Sequence, residues 1–223
     1  MSGEITIEVP GSGAVSALLE HPADARLGYV LAHGAGAGMR HPFLEAMAGR
    51  LAVRGVATLR YQFPYMEVGK RRPDGPEVAV AAVRAAVAAA ARRLPGLPLI
   101  AGGKSFGGRM TSTAAAQAPL AGVRGLAFLG FPLHPPGKPS IARAEHLDRV
   151  TVPMLFLQGT RDEFADAALL GQVIGRLGRR AELHGVEGGD HSFGVPKAPR
   201  GGRGRDAVLD ELADAISAWA TGL

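Results

Sequence analysis

One junction constrains this chain more than any other. Gly103-Lys104-Ser105-Phe106-Gly107 places a serine between two glycines, at the seam between an apolar run and a small-residue run. Leu97-Pro98-Leu99-Ile100-Ala101 reads as a buried strand, and the segment from Gly108 to Ala116 is small and tolerant of helix. A strand that turns at once into a helix brings two backbones so close that Cβ atoms would collide. Glycines at both flanks relieve that crowding and leave the serine hydroxyl standing at the tip of the turn. The pattern G-x-S-x-G is common on its own. With strand before and helix after, it points to a nucleophilic Ser105.

The rest of the chain alternates in the same way. Residues 5–9 and 14–19 are strand-like and are separated by Pro10-Gly11-Ser12-Gly13, a hairpin signal. Residues 28–32 read as a buried strand ending at His33, residues 43–53 carry apolar side chains at helical spacing, and residues 56–61 form the next strand. A long alanine-rich helix over 77–94 is opened by Asp74-Gly75-Pro76 and closed by Pro95-Gly96. After the Ser105 junction come apolar strands over 123–131 and 153–157, a helix over 166–177, a last strand over 181–186 and a closing amphipathic helix over 206–219. Apolar strands alternating with helices predict a three-layer α/β fold, a mostly parallel sheet with helices on both faces. Ligands of such sheets bind at the carboxyl ends of the strands. With 223 residues, no repeat and no linker, one domain over 1–223 is expected.

Composition removes several function classes. There is no cysteine, so disulfides, thiolate metal sites and a cysteine nucleophile are all excluded. The opening residues show no secretory signal, and the Ala/Val stretch over 78–91 is too short to span a bilayer, so a cytoplasmic protein with no membrane association is expected. The net charge of +5 raises the question of nucleic acid. Its basic clusters, Lys70-Arg71-Arg72 and Lys197 to Arg205, are laced with Gly and Pro and lack interleaved aromatics, so no nucleic-acid partner is expected. Gly103-Lys104-Ser105 resembles the end of a phosphate-binding loop, but position 98, where the first glycine would stand, holds Pro98.

A serine hydroxyl needs a base to take its proton. His191, in Gly188-Gly189-Asp190-His191-Ser192-Phe193, lies on a glycine-rich loop past the last strand. A histidine base needs a carboxylate to fix its tautomer. Asp162 follows the preceding apolar strand, with Asp190, Glu163 and Asp166 as competitors. The chain order Ser, Asp, His is that of one family of triad enzymes. Oxyanion donors are expected at the backbone N–H of Phe106 and, from the loop His33-Gly34-Ala35-Gly36-Ala37-Gly38, at Ala35 first and Gly36 second. His33 reads as a structural residue beneath that loop.

These stretches together resemble the α/β-hydrolase superfamily, and in particular its small cap-less branch near dienelactone hydrolase. The resemblance spans the chain from the strand before His33 to the closing helix. It implies a three-layer α/β-hydrolase fold, a Ser105–Asp162–His191 triad, hydrolysis of an ester or similar acyl bond in a small molecule, and no cofactor or metal. Dienelactone hydrolases carry a cysteine nucleophile where this chain has Ser105, so ester hydrolysis is expected rather than dienelactone chemistry. The alternative is an α/β-hydrolase fold used as a binding scaffold.

The segment from Phe131 to Pro139 follows the sixth strand, where larger relatives insert a cap. Only about twenty residues separate Phe131 from the next strand, room for a flap and a short helix, so an open, shallow site is expected. His134 and Lys138 are candidates for substrate contact. Lys104, Arg109 and Arg161 put positive charge near Ser105 and Asp162 in sequence, which suggests an anionic substrate.

Overall fold

A computed structural model describes residues 3–196 and 204–223. The basic cluster beginning at Lys197 falls outside these residues except for its end at Arg205. The described chain builds one eight-stranded sheet: β1 Gly3–Val9, β2 Gly13–Glu20, β3 Leu27–Ala32, β4 Val56–Tyr61, β5 Leu99–Lys104, β6 Val123–Leu129, β7 Met154–Gly159 and β8 Ala181–Val186. The spatial order is β1-β2-β4-β3-β5-β6-β7-β8. The opening hairpin is antiparallel, β2 pairs antiparallel with β4, and every later pairing is parallel.

Strand order reverses at β3, which lies between β4 and β5. Chain from β3 leaves toward one side of the sheet and chain from β5 toward the other, so a crevice opens at their carboxyl ends. Residues 33–38 and Ser105 both emerge there.

Helices α1 Pro42–Ala52 and α6 Arg205–Thr221 cover one face; α3 Pro76–Arg93, α4 Phe106–Gln117 and α5 Ala167–Leu177 cover the other. A single turn, α2 Pro64–Glu67, follows β4, and a 3-10 helix, Ala142–Arg149, lies between β6 and β7. Helix α3 starts at Pro76 with Glu77 in its first turn and ends with Arg92 and Arg93, charges that complement the helix dipole. Its buried face is mostly alanine (Ala79, Ala82, Ala86, Ala89 and Ala90) with Val80, Val83 and Val87, so it packs close to the sheet.

The two cores lie on opposite faces of the sheet. Phe128, Phe131 and Phe156 anchor the α3/α4/α5 side, while Phe43, Leu44, Met47, Leu212 and Ile216 anchor the α1/α6 side. Four ion pairs join Arg50 of α1 and Arg54, in the turn just beyond it, to Asp206, Asp210 and Asp214 of α6. Among the described residues no helix is long and apolar enough to cross a membrane.

Candidate active site

Ser105 sits between the last residue of β5 and the first of α4, at φ 48° and ψ −112°. An L-residue rarely adopts this conformation, and the surroundings over-determine it. A Cβ at Gly103 would lie 2.2 Å from the Ala32 carbonyl oxygen, and one at Gly107 would lie 2.6 Å from the His33 carbonyl oxygen. The glycines are required because β3 and its loop press against the turn. Helix α4 is held by the main chain, with Arg109 N–H donating to the Ser105 carbonyl at 3.1 Å.

Two further loops meet Ser105. His191 Nε2 is 2.9 Å from Ser105 Oγ, and His191 Nδ1 is 2.7 Å from Asp162 Oδ2. An ionised carboxylate can only accept, so Nδ1 carries the imidazole proton and Nε2 accepts from the Ser105 hydroxyl. The Asp162 side chain is wholly buried. Its charge is met by the Phe164 N–H at 2.8 Å to Oδ1 and by the Gln158 amide, which donates to Oδ2. Gln158 is fixed in turn by the Phe131 N–H, which donates to its Oε1 at 2.8 Å.

The Asp162 and His191 loops pack together at Gly159, where a Cβ would lie 2.2 Å from the Gly189 carbonyl oxygen. Phe164 covers the imidazole at a ring separation of 4.3 Å. Asp190 does not face His191: its Oδ1 accepts from Ser192 N–H and Gly194 N–H, closing its own turn. Asp166 caps α5 by accepting from Leu169 N–H, and Glu163 is exposed.

The loop after β3 lies across Ser105. A Cβ at Gly34 would contact both the Lys104 stem and Ser105 Cβ. Gly36 N–H is committed to Tyr65 Oη at 3.1 Å. Neither Ala35 N–H nor Phe106 N–H donates to an acceptor among the described residues, which leaves both available to a bound group. His33 is fully buried, with Phe63 N–H donating to its Nε2 at 3.1 Å and its Nδ1 donating to the Gly34 carbonyl at 2.7 Å. Burial pushes His33 down to about 4, so it stays neutral under the loop.

A cavity of about 310 Å³ opens beside Ser105, walled by Ala37, Phe43, Leu44 and Phe164, with Lys104 and Arg205 among its lining residues. Burial pushes the Lys104 ammonium down to about 8, with Asp162 and Asp190 pulling it back toward the charged form. No cap is inserted between β6 and β7.

The expected substrate contacts in the proline-rich segment are corrected here. His134 is buried, its Nδ1 bonded to the Pro135 carbonyl and its Nε2 accepting from Asp166 N–H, so it ties two loops together. Lys138 is exposed and does not line the cavity. Of the three cations singled out by sequence proximity, only Lys104 lines the cavity. Arg109 is half-buried beside Arg143, and Arg161 is exposed. Gln158 and Tyr65 were missed. The signal for Gln158 was a lone amide closing the apolar run Leu155-Phe156-Leu157; nothing in the sequence marks Tyr65 as the partner of Gly36.

A sequence profile of the alpha/beta hydrolase domain family matches residues 25–221. The chain belongs to that family. Solved structures agree on the fold of this alpha/beta hydrolase. XC6422 from Xanthomonas campestris, an α/β serine hydrolase without a lid, is 18% identical with a TM-score of 0.76, covering 100% of this chain and 95% of its own. Dienelactone hydrolase from Anabaena variabilis is 19% identical with a TM-score of 0.78, covering 100% and 97%. Est1E from Butyrivibrio proteoclasticus is 18% identical with a TM-score of 0.72, covering 99% and 98%.

Proposed function

We propose that this alpha/beta hydrolase is a serine hydrolase that cleaves an ester or similar acyl bond of a small molecule. The observation that carries the reading is the unbroken chain of hydrogen bonds from Ser105 Oγ through the His191 imidazole to the buried Asp162 carboxylate.

His191 Nε2 takes the Ser105 proton as Oγ attacks the acyl carbon. The carbonyl oxygen becomes an oxyanion, held by Ala35 N–H and Phe106 N–H. Asp162 stabilises the imidazolium and keeps its Nδ1–H turned away from the reacting atoms. The imidazolium then passes its proton to the departing alcohol, leaving Ser105 acylated. Water enters, gives its proton to His191 and attacks the acyl carbon; collapse returns the proton to Ser105 Oγ and releases the acid. Every proton moves through one imidazole, and no step calls for a metal or organic cofactor.

The small cavity beside Ser105 favours a compact acyl group over a long lipid chain. The test is steady-state turnover of p-nitrophenyl esters from acetate to octanoate. The proposal expects saturable hydrolysis that falls by at least about 10³-fold in Ser105→Ala. Turnover that survives in Ser105→Ala would refute it.

A further inference from the structure

Lys104 is a buried charged group of the cavity lining that the hydrolytic chemistry above does not use. It lines the cavity beside Ser105, yet its Nζ is covered and makes no hydrogen bond to the protein. A Cβ at Gly130 would lie 2.9 Å from Lys104 Nζ and 3.5 Å from His191 Nδ1, so both nitrogens flank one point at the end of β6. On the other side Nζ stands 5.6 Å from the centre of the Phe193 ring. A buried ammonium without a hydrogen-bonded partner is costly to maintain, and the walls around it screen its field poorly.

The charge balance of the cavity is one-sided. Among the described residues its lining includes Lys104 and the exposed Arg205, and no carboxylate. The acidic groups acting on Lys104 are Asp162 and Asp190. Asp162 is spent on His191, Gln158 and Phe164 N–H, and Asp190 on its own turn. The apolar stretch made by Ala37, Phe43 and Leu44 is suited to a short methylene chain.

We infer that this cavity selects substrates carrying an anionic group on a short aliphatic chain, such as a half-ester of a dicarboxylic acid, and that Lys104 is the residue that sets this selectivity. The inference rests on the serine hydrolase reading and adds its substrate class. Lys104 acts through its field rather than by contact, and low-dielectric walls concentrate that field on an entering anion. The exposed Arg205 adds a weaker, salt-screened attraction.

The experiment compares the mono-p-nitrophenyl ester of adipic acid with p-nitrophenyl hexanoate, a neutral ester of equal chain length, in the wild type, Lys104→Met and Lys104→Arg. At pH 7 the wild type is expected to favour the anionic ester in kcat/KM by about tenfold or more. Lys104→Met should lose most of that preference, and Lys104→Arg should keep it. The wild-type preference should also decline as pH rises past about 8, where Lys104 sheds its charge, while that of Lys104→Arg holds. Fluorophosphonate labelling of each variant at Ser105 separates the two claims. Labelled protein with the same ester preference in wild type and Lys104→Met overturns the Lys104 inference alone. An equal loss of both esters in Lys104→Met, with lowered thermal stability, overturns it in favour of a structural prop. Failure of the wild type to label at Ser105 removes the serine hydrolase reading beneath it.

Discussion

At the scale of single residues, the site depends on how Asp162 and two histidines are held. Gln158 donates to the same Asp162 oxygen that receives His191, so it fixes the rotamer on which the imidazole is aligned. A hydrogen bond to a buried charge contributes about 1.5–3 kcal/mol. Gln158→Leu should therefore lower kcat by about ten- to a hundredfold with little change in KM, measured on the best p-nitrophenyl ester. Unchanged kcat would remove Gln158 from the support of the site. His33 makes a separate prediction about stability. Its folded pKa of about 4 lies below the ordinary 6.5, so between those values the unfolded chain binds more protons than the folded one. Stability must then fall as pH drops through that window, by about 2 kcal/mol between pH 7 and pH 5 from this residue. Urea unfolding at the two pH values checks it, and His33→Asn should flatten the slope if it folds. A wild-type midpoint that does not move would contradict the buried, neutral imidazole.

At the scale of elements, the sequence was most legible where periodicity governs. Strands β4 and β8 lie where their apolar runs predict, and α1, α3, α5 and α6 fall within two residues of their predicted ends. The failures have physical causes. The apolar run predicts β5 only as far as Ala101; the structure carries it through Gly102, Gly103 and Lys104, residues with no apolar signal. There the neighbouring strands come so near that a Cβ at Gly102 would lie 1.8 Å from the Ala127 carbonyl oxygen, so glycine is what permits the pairing. Helix α2 is one turn, too short for any periodic signal. His134 is a candidate for substrate contact from its place in the proline-rich loop, but its partner, Asp166 N–H, lies 32 residues away in the chain, beyond any local sequence signal. Ser105, Asp162 and His191 were legible because each follows a strand whose end the sequence already marks. Two glycine classes follow from the same contacts. Gly103→Ala should cost about 4 kcal/mol or more, since the obstructing atoms are backbone. Gly171→Ala, on the exposed face of α5 with nothing near its Cβ, should stabilise by about 0.5–1 kcal/mol. Thermal melts of the pair test this, and equal melting temperatures would show that the turn at Ser105 has more room than the structure gives it.

At the scale of the whole molecule, the sheet is a frame that carries four separate stretches of chain to one rim. Residues 33–38 arrive from β3, Ser105 from β5, Asp162 from β7 and His191 from β8, and no helix contributes more than its first residues. Stability and chemistry are therefore largely separable. Ile216→Ala, in the α1/α6 core far from the rim, should lose about 2–4 kcal/mol yet leave kcat per folded molecule unchanged. Active-site titration alongside unfolding measurements would show this, and a matching loss of kcat would mean the far core helps set the site. The central claim is that Ser105 is activated by His191. It is tested most directly by labelling with a fluorophosphonate and mapping the modified residue by mass spectrometry. Rapid modification at Ser105 is expected, absent in Ser105→Ala and slowed by at least about 10³-fold in His191→Ala. Modification at another residue, or an unchanged rate in His191→Ala, would contradict it.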